Sequence, residues 1–341
     1  MNGLGATARR IGRAVLVAAC IAASASQGTA LAAPDADNAS TSYVVRTEET
    51  DAVAMTAFVH SAVMDRTIPL KILRSPDRAK PSSTVYLLNG AGGGVDGMDW
   101  YTQTDVVSFF ADKNVNVVTP VGGAYSYYTD WQHDDRVLGR NKWETFLTRE
   151  LPPLVDQLLK TNGRNVIAGI SMAATSVLNL AAHNPGLFRA VGSYSGCAST
   201  TDPLGRAYVK TVVSMALGTD VKNMWGPDGD PDWVHNDAVV NADKLRGTAL
   251  YISNGSGLAG ASDTFDGTNP NGPGFVLLNQ MVVGGAIEVA TGDCTRRLKS
   301  ALEKLHIPAH FELRERGTHS WGYWQDDLHN SWPMFEQALA D

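Results

Sequence analysis

Ser171 stands where an apolar run gives way to small residues: Asn165-Val166-Ile167-Ala168-Gly169-Ile170-Ser171-Met172-Ala173-Ala174. The run predicts a strand, a sharp turn at the serine and a helix leaving directly behind it. Such a turn holds its central residue in a sparsely populated backbone conformation, so the residues two before and two after must be small. Here they are Gly169 and Ala173. The turn would lift the Ser171 hydroxyl clear of a sheet, with a helix N-terminus behind it to favour developing negative charge. That is the chemistry of a serine nucleophile. The competing reading is a plain strand–turn–helix, because this is a relaxed G-x-S-x-G and short motifs recur by chance.

Two other segments favour the nucleophile. Upstream, Ser83-Thr84-Val85-Tyr86-Leu87-Leu88 reads as a buried strand ending in Asn89-Gly90-Ala91-Gly92-Gly93-Gly94. A glycine-rich loop after an early strand can supply one backbone N–H of an oxyanion hole, and the residue after the nucleophile, Met172, supplies the other. Near the C-terminus, Gly317-Thr318-His319-Ser320-Trp321 follows the strand-like Ala309-His310-Phe311-Glu312-Leu313. A histidine beyond the last strand is where the general base sits in the order Ser…acid…His of α/β-hydrolases. The acid is open on spacing alone. Asp263 and Asp266 follow the strand Ala249–Ser253, and Glu288 stands just before a helical Thr291–Leu305.

Other motifs carry less. Gly92, Gly94 and Gly97 satisfy G-x-G-x-x-G, but Val95-Asp96-Gly97-Met98-Asp99-Trp100 opens a helix poorly and no βαβ unit frames it. No nucleotide cofactor is expected. Asp228-Gly229-Asp230-Pro231-Asp232 imitates a calcium loop but has Trp233 where glycine is required, so a solvated turn is the reading. His60, His133, His183, His235, His306, His310 and His329 show no zinc spacing. Neither a metal nor any other cofactor is expected.

The elements that must position these residues alternate. An antiparallel start fits Ala52–Val59 and Pro69–Leu73. Strands at Val85–Leu88, Val115–Val118, Asn165–Ala168, Ala190–Ser195, Ala249–Ser253 and Ala309–Leu313 then alternate with helices at Asp105–Asp112, Trp143–Leu159, Met172–Ala182, Leu204–Leu217 and Thr291–Leu305. This is the pattern of a mostly parallel sheet with helices on both faces, an α/β-hydrolase fold. Glycine-rich stretches 218–237 and 255–285 interrupt it, and both are expected on the face that carries Ser171. No repeat, linker or second domain is visible.

Residues 1–32 read as a cleaved signal peptide. Arg9, Arg10 and Arg13 precede the apolar Ala14–Ala25, and Ala30-Leu31-Ala32 is an A-x-A site. Val17-Ala18-Ala19-Cys20 resembles a lipoprotein processing site, but with a very short apolar run before it. Residues 33–42 read as a flexible leader and 43–341 as one domain. Export and cleavage would leave Cys197 and Cys294, and two cysteines in an exported chain suggest one disulfide. Losing the three arginines shifts the formal charge from −7 to about −10, which argues against nucleic acid and anionic lipid as partners.

Several motifs together resemble the antigen 85 mycolyltransferases, secreted α/β-hydrolase-fold enzymes of bacteria with mycolate-rich envelopes. They are Gly169-Ile170-Ser171-Met172-Ala173-Ala174, Pro120-Val121-Gly122-Gly123 with Tyr128-Thr129-Asp130-Trp131, Ser193-Tyr194-Ser195-Gly196, and Gly317-Thr318-His319-Ser320-Trp321 with Tyr323-Trp324. The resemblance runs from about Val85 to Trp324. It implies Ser171 as nucleophile, His319 as base, Glu288 as acid, Ala91 and Met172 as the oxyanion amides, and Ser320 and Trp321 as lining of a sugar site. It also implies an acylated trehalose or related glycolipid as donor, and trehalose or a cell-envelope component as acceptor. The family's Leu-Leu-Asp-Gly-Leu-Arg is Leu87-Leu88-Asn89-Gly90-Ala91-Gly92 here, so the aspartate and arginine that grip trehalose are replaced by Asn89 and Gly92. A neutral hydrogen bond is roughly half as strong as a charge-assisted one, which marks a divergent member with altered sugar recognition. A secreted carboxylesterase on the same three residues and a non-catalytic carbohydrate- or matrix-binding protein are the rival readings.

Overall fold

The chain enters its sheet antiparallel and crosses to parallel halfway. In the computed structural model, which describes residues 29–30, 41–264 and 279–340, a two-residue β1 (Thr29–Ala30) pairs with β2 (Tyr43–Glu49). β3 (Ala54–Ser61) and β4 (Arg66–Leu73) continue the meander. β3 alternates buried and half-buried residues, the period-two pattern of a strand with one wet face. The rest of the expected leader, residues 1–28 and 31–40, lies outside the described residues. β1 belongs to the segment expected to be removed.

The next four strands have no polar face. β5 (Ser83–Leu88), β6 (Val115–Pro120), β7 (Asn165–Ile170) and β8 (Ala190–Tyr194) are buried at every position. Strands covered on both sides read as continuous apolar runs, and these pair in parallel. β9 (Ala249–Asn254) and β10 (His310–Leu313) complete the order β1-β2-β3-β4-β6-β5-β7-β8-β9-β10. This is the mixed, mostly parallel sheet of an α/β-hydrolase.

Alternate residues of the same strands feed two apolar cores. Tyr86, Leu88, Ile167, Val191 and Ile252 pack with Met172, Ala173 and Val177 of the helix Met172–His183. Val85, Leu87, Val166, Ala168 and Ile170 pack with Trp324, Leu328 and Phe335 of a C-terminal helix, Trp321–Ala340.

Several elements differ from expectation. β2 extends the sheet beyond the expected antiparallel start. The C-terminal helix was unread because Gly322 and Pro333 interrupt it, although Trp321, Trp324, Leu328, Trp332, Phe335 and Leu339 keep a helical spacing. The expected helix Trp143–Leu159 carries a π turn at Phe146–Glu150 before Leu151–Leu159. Pro152 and Pro153 offer no N–H to the preceding turn, so the ladder is re-registered there.

Register brings the loops of interest together. Leu88 pairs with Gly169, Gly169 with Ser193, Tyr194 with Ser253, and Asn254 with Leu313. The loops leaving the C-terminal ends of β5, β7, β9 and β10 therefore emerge side by side, the usual location of ligand sites in open parallel sheets.

Candidate active site

The elbow forms as its small residues require. Ser171 has φ 54° and ψ −121°, a conformation costly for a residue with a side chain. Neighbours hold it there: its N–H donates to the Tyr194 carbonyl at 2.9 Å, and Ser193 Oγ donates to Ala174 O at 2.9 Å. A Cβ on Gly169 would sit 2.9 Å from the backbone and Cβ of Ala173, so nothing larger than glycine fits. Met172 occupies the first helical position, where a backbone N–H has no intrahelical acceptor.

His319, in the loop between β10 and the C-terminal helix, faces this serine. Its Nε2 lies 2.7 Å from Ser171 Oγ, and its Nδ1 lies 2.8 Å from Glu288 Oε1. Glu288 is fully buried. Its second oxygen accepts the Gly255 N–H at 2.6 Å, and its own carbonyl accepts from Asn254 Nδ2 at 2.9 Å. Each carboxylate oxygen thus has a partner, and the Gly255 N–H on Oε2 helps aim Oε1 at the imidazole. The Trp324 ring meets the His319 ring edge to face at 4.9 Å and limits its tilt. Glu288 lies in the first turn of the helix Gly285–Lys304, not ahead of a helix beginning at Thr291.

Asp263 is not beside the imidazole. Its carboxylate accepts from Thr318 Oγ1, from Tyr323 Oη at 2.7 Å and from the Gly260 N–H at 2.8 Å. It buttresses the histidine loop from the far side. Asp266 lies outside the described residues.

The glycine-rich loop is pinned by close backbone approach. Gly93 has φ 62°, and any Cβ there would overlap the Gly122 carbonyl, while the Gly122 N–H donates to Gly93 O at 2.8 Å. Ala91 and Gly92 line a cleft of about 140 Å³ together with Asp96, Met98, Ser171, His319, Trp321 and Trp324. Two expected sugar-site residues are elsewhere. Asn89 is fully buried, with Nδ2 toward Pro120 O at 3.4 Å and Oδ1 toward the Trp100 N–H at 3.4 Å. Ser320 is 6% exposed and lies under the loop with its hydroxyl 3.5 Å from Thr318 Oγ1.

Residues that sequence reasoning did not single out complete the site. Tyr208, on the helix Pro203–Ser214, lies near Ser171 and Glu288, and burial pushes its phenol pKa up to about 12. Its helix carried no chemical motif, so no sequence signal marked it. Cys197 and Cys294 are bonded, tying the segment after β8 to the helix that carries Glu288. Of the two glycine-rich stretches, 255–285 reaches the site through Gly255. The stretch 218–237 packs instead at the far end of the nucleophile helix, where Asn236 O accepts from Asn179 Nδ2 at 2.9 Å.

Glu144, His183 and His235 bring ligand-type atoms within 4.8 Å of one another, a cluster that sequence spacing did not reveal. The two rings are stacked, with centroids 3.8 Å apart and planes 12° apart. In-plane lone pairs of parallel rings cannot converge on one ion, so this arrangement does not fit a metal. Both His183 nitrogens face acceptors, Glu144 at 3.0 Å and the His235 carbonyl at 2.8 Å, as an imidazolium requires.

Comparison with known proteins agrees with this geometry. The family model described as putative esterase matches residues 61–335. Diacylglycerol acyltransferase/mycolyltransferase Ag85A of Mycobacterium leprae is 33% identical over 268 residues, covering 76% of each chain. Ag85B of the same organism is 31% identical over 290 residues, covering 82% of this chain and 83% of that one. The crystal structure of Mycobacterium tuberculosis MPT51 (FbpC1) superposes with a TM-score of 0.69 at 25% identity, covering 85% of this chain and all of that one. With its nucleophile elbow, buried glutamate and facing histidine on this sheet, the chain belongs to the esterase family, as a divergent relative of the antigen 85 mycolyltransferases and an enzyme of the acyltransferase or ester-hydrolase class.

Proposed function

We propose that the protein is a secreted serine acyltransferase that moves a long-chain acyl group of the mycoloyl type. The donor is trehalose monomycolate or a related glycolipid, and the acceptor is trehalose or another hydroxyl of the cell envelope. The observation that carries this reading is the hydrogen-bond line Ser171–His319–Glu288, at 2.7 and 2.8 Å, opening on a cleft in a fold shared with mycolyltransferases. Export rests on the signal peptide read in residues 1–32.

Glu288 accepts a hydrogen bond from the Nδ1–H of His319 and so leaves the Nε2 lone pair facing Ser171. His319 takes the serine proton as Oγ attacks the donor ester carbonyl. The Ala91 and Met172 amides receive the oxyanion. His319 then returns the proton to the departing sugar hydroxyl, leaving an acyl-serine. An acceptor hydroxyl, deprotonated by the same imidazole, attacks that ester and frees Ser171.

A carboxylesterase is the second reading, in which water replaces the sugar hydroxyl in the last step. Buried Asn89 and the missing side chain at Gly92 favour it, because neither can grip trehalose as the family's aspartate and arginine do. Mass spectrometry of the products decides. The protein and its Ser171→Ala variant are incubated with a trehalose monoacyl ester and excess trehalose. Serine-dependent diacyl trehalose is the expected product; free acid alone would replace the transferase by the esterase. Absence of turnover and of fluorophosphonate labelling at Ser171 would leave a binding protein.

A further inference from the structure

The mouth of the cleft holds one charge that the mechanism does not use. Among the described residues lining it, Asp96 is the only carboxylate and no lysine or arginine is present; His319 is the other titratable side chain. The Asp96 carboxylate fills the space that a side chain on Gly92 would take, since a Cβ built there would overlap it. Its backbone is held by the turn Asp96–Met98, where Oδ1 accepts the Met98 N–H at 3.0 Å. The other oxygen is turned toward Gly92. Asn89, two residues before Ala91, is spent on Pro120 and Trp100. Besides the catalytic imidazole, Asp96 is thus the one charged side chain among the described residues that line the cleft, and its charge is negative.

The same cleft is lined by half-buried Trp321, wedged edge to face between Trp100 at 5.6 Å and Trp324 at 5.3 Å. A carboxylate accepts charge-assisted hydrogen bonds from hydroxyls, and a fixed indole covers apolar C–H surface. Together they suit a sugar ring or polyol end, and a carboxylate at the mouth repels an anion.

We infer that Asp96 is the specificity-determining residue for the acyl acceptor, selecting neutral or cationic sugar hydroxyls and rejecting anionic ones. This rests on the proposed acyl-serine at Ser171. The test is competition between acceptors for one acyl-enzyme. The full-length enzyme receives p-nitrophenyl butyrate with equal concentrations of trehalose and glucuronate, or of glucosamine and glucuronate. Acylated products are quantified by mass spectrometry. A ratio between two acceptors cancels any general loss of rate or of folded enzyme. Wild type should favour trehalose and glucosamine over glucuronate. Asp96→Asn should shift both ratios toward glucuronate by about three- to fivefold, the scale of one partly exposed charge, with the larger shift for glucosamine. The shift should fade near 1 M salt, where screening acts within about 3 Å. Asp96→Ala should also lose trehalose relative to water, because the hydrogen bond goes with the charge.

Equal ratios in wild type and Asp96→Asn, or a wild type that prefers glucuronate, would overturn the inference. So would nitrophenol release that depends on Ser171 with no acceptor acylated at all. Release that persists in Ser171→Ala would instead remove the acyl-serine reading on which the inference stands.

Discussion

The braced line from Ser171 to Glu288 and the exposed turn from Val95 to Met98 at the mouth of the same cleft are built on opposite principles. In the line, Glu288 is fully buried, the Gly255 N–H holds its carboxylate and the Asn254 side chain its carbonyl, a disulfide ties its helix to the segment after β8, and Trp324 backs the imidazole. At the mouth, Val95, Asp96, Gly97 and Met98 are exposed, and Gly97 has φ 79° with open space around it. Groups that must hold sub-ångström geometry are over-determined by packing. The residues proposed to meet the acceptor sit on an exposed turn whose change should cost the fold little. That is how a chain can keep its family's chemistry while changing the charges that greet the substrate.

The comparison would break first at the line itself. Ser171→Ala and His319→Gln should each lower turnover at least about 10³-fold, with the double variant no worse than the single ones, because the residues act as a unit. Steady-state hydrolysis of p-nitrophenyl butyrate reads this. Glu288→Gln should lose about 10²–10⁴-fold, since it upsets the imidazole tautomer without emptying the site. Asp263→Asn should lose much less, because Asp263 holds Thr318 and Tyr323 rather than the imidazole. Were Asp263→Asn the more damaging change, the assignment of the acid would fail.

Next comes the brace. The disulfide closes a loop of sequence separation 97, and losing it should cost about 2–5 kcal/mol. Denaturant melts of wild type against Cys197→Ser/Cys294→Ser measure it, and midpoints that coincide would show the brace to be idle.

A smaller effect lies away from the cleft, at His183. Burial pulls its pKa down, but the hydrogen bond and charge of Glu144 more than offset this, and the net shift is upward; Lys244 opposes it and His235 O accepts from it. His235 beside it is lowered, by burial and then by His183, with Glu144 and Asp232 opposing. A raised folded pKa means that the His183 contribution is complete below the unfolded value of about 6.5 and fades as pH rises through the folded value. Glu144→Gln should therefore cost about 1–2 kcal/mol at pH 6 and less at pH 9, by thermal melts at both. A cost independent of pH would assign Glu144 a packing role only.

The smallest effect belongs to the mouth. Val95→Ser should stay within about 0.5 kcal/mol of wild type in the same melts, as for other exposed positions. A larger loss would show that the loop is braced after all.

Legibility in the sequence followed the range of the interactions. The elbow was readable because its constraint is local: glycine two residues before the serine and alanine two after are demanded by one turn. The central strands were readable because burial on both faces leaves only apolar residues. Glu288 could not be chosen from spacing, because nothing local separates it from Asp263 or Asp266. The choice depends on the Gly255 N–H, 33 residues away, and on the His319 loop, 31 residues away. Asn89 was read as facing a sugar because its position in the motif says so, and only the packed loop shows it turned inward. Tyr208, Asp96 and the stacked pair of His183 and His235 carried no pattern at all.

The order of residues along the chain was enough for a parallel sheet, a serine at the tip of one strand, a histidine beyond the last, and the pairing of Cys197 with Cys294. Each of these follows from short-range sterics, from periodicity or from composition. Tertiary structure alone decided which carboxylate meets the imidazole, which polar side chains are spent inside loops, and which single charge remains at the mouth. Those depend on strand register and on the directions of side chains from distant segments, and no property of a residue's neighbours in the sequence encodes them.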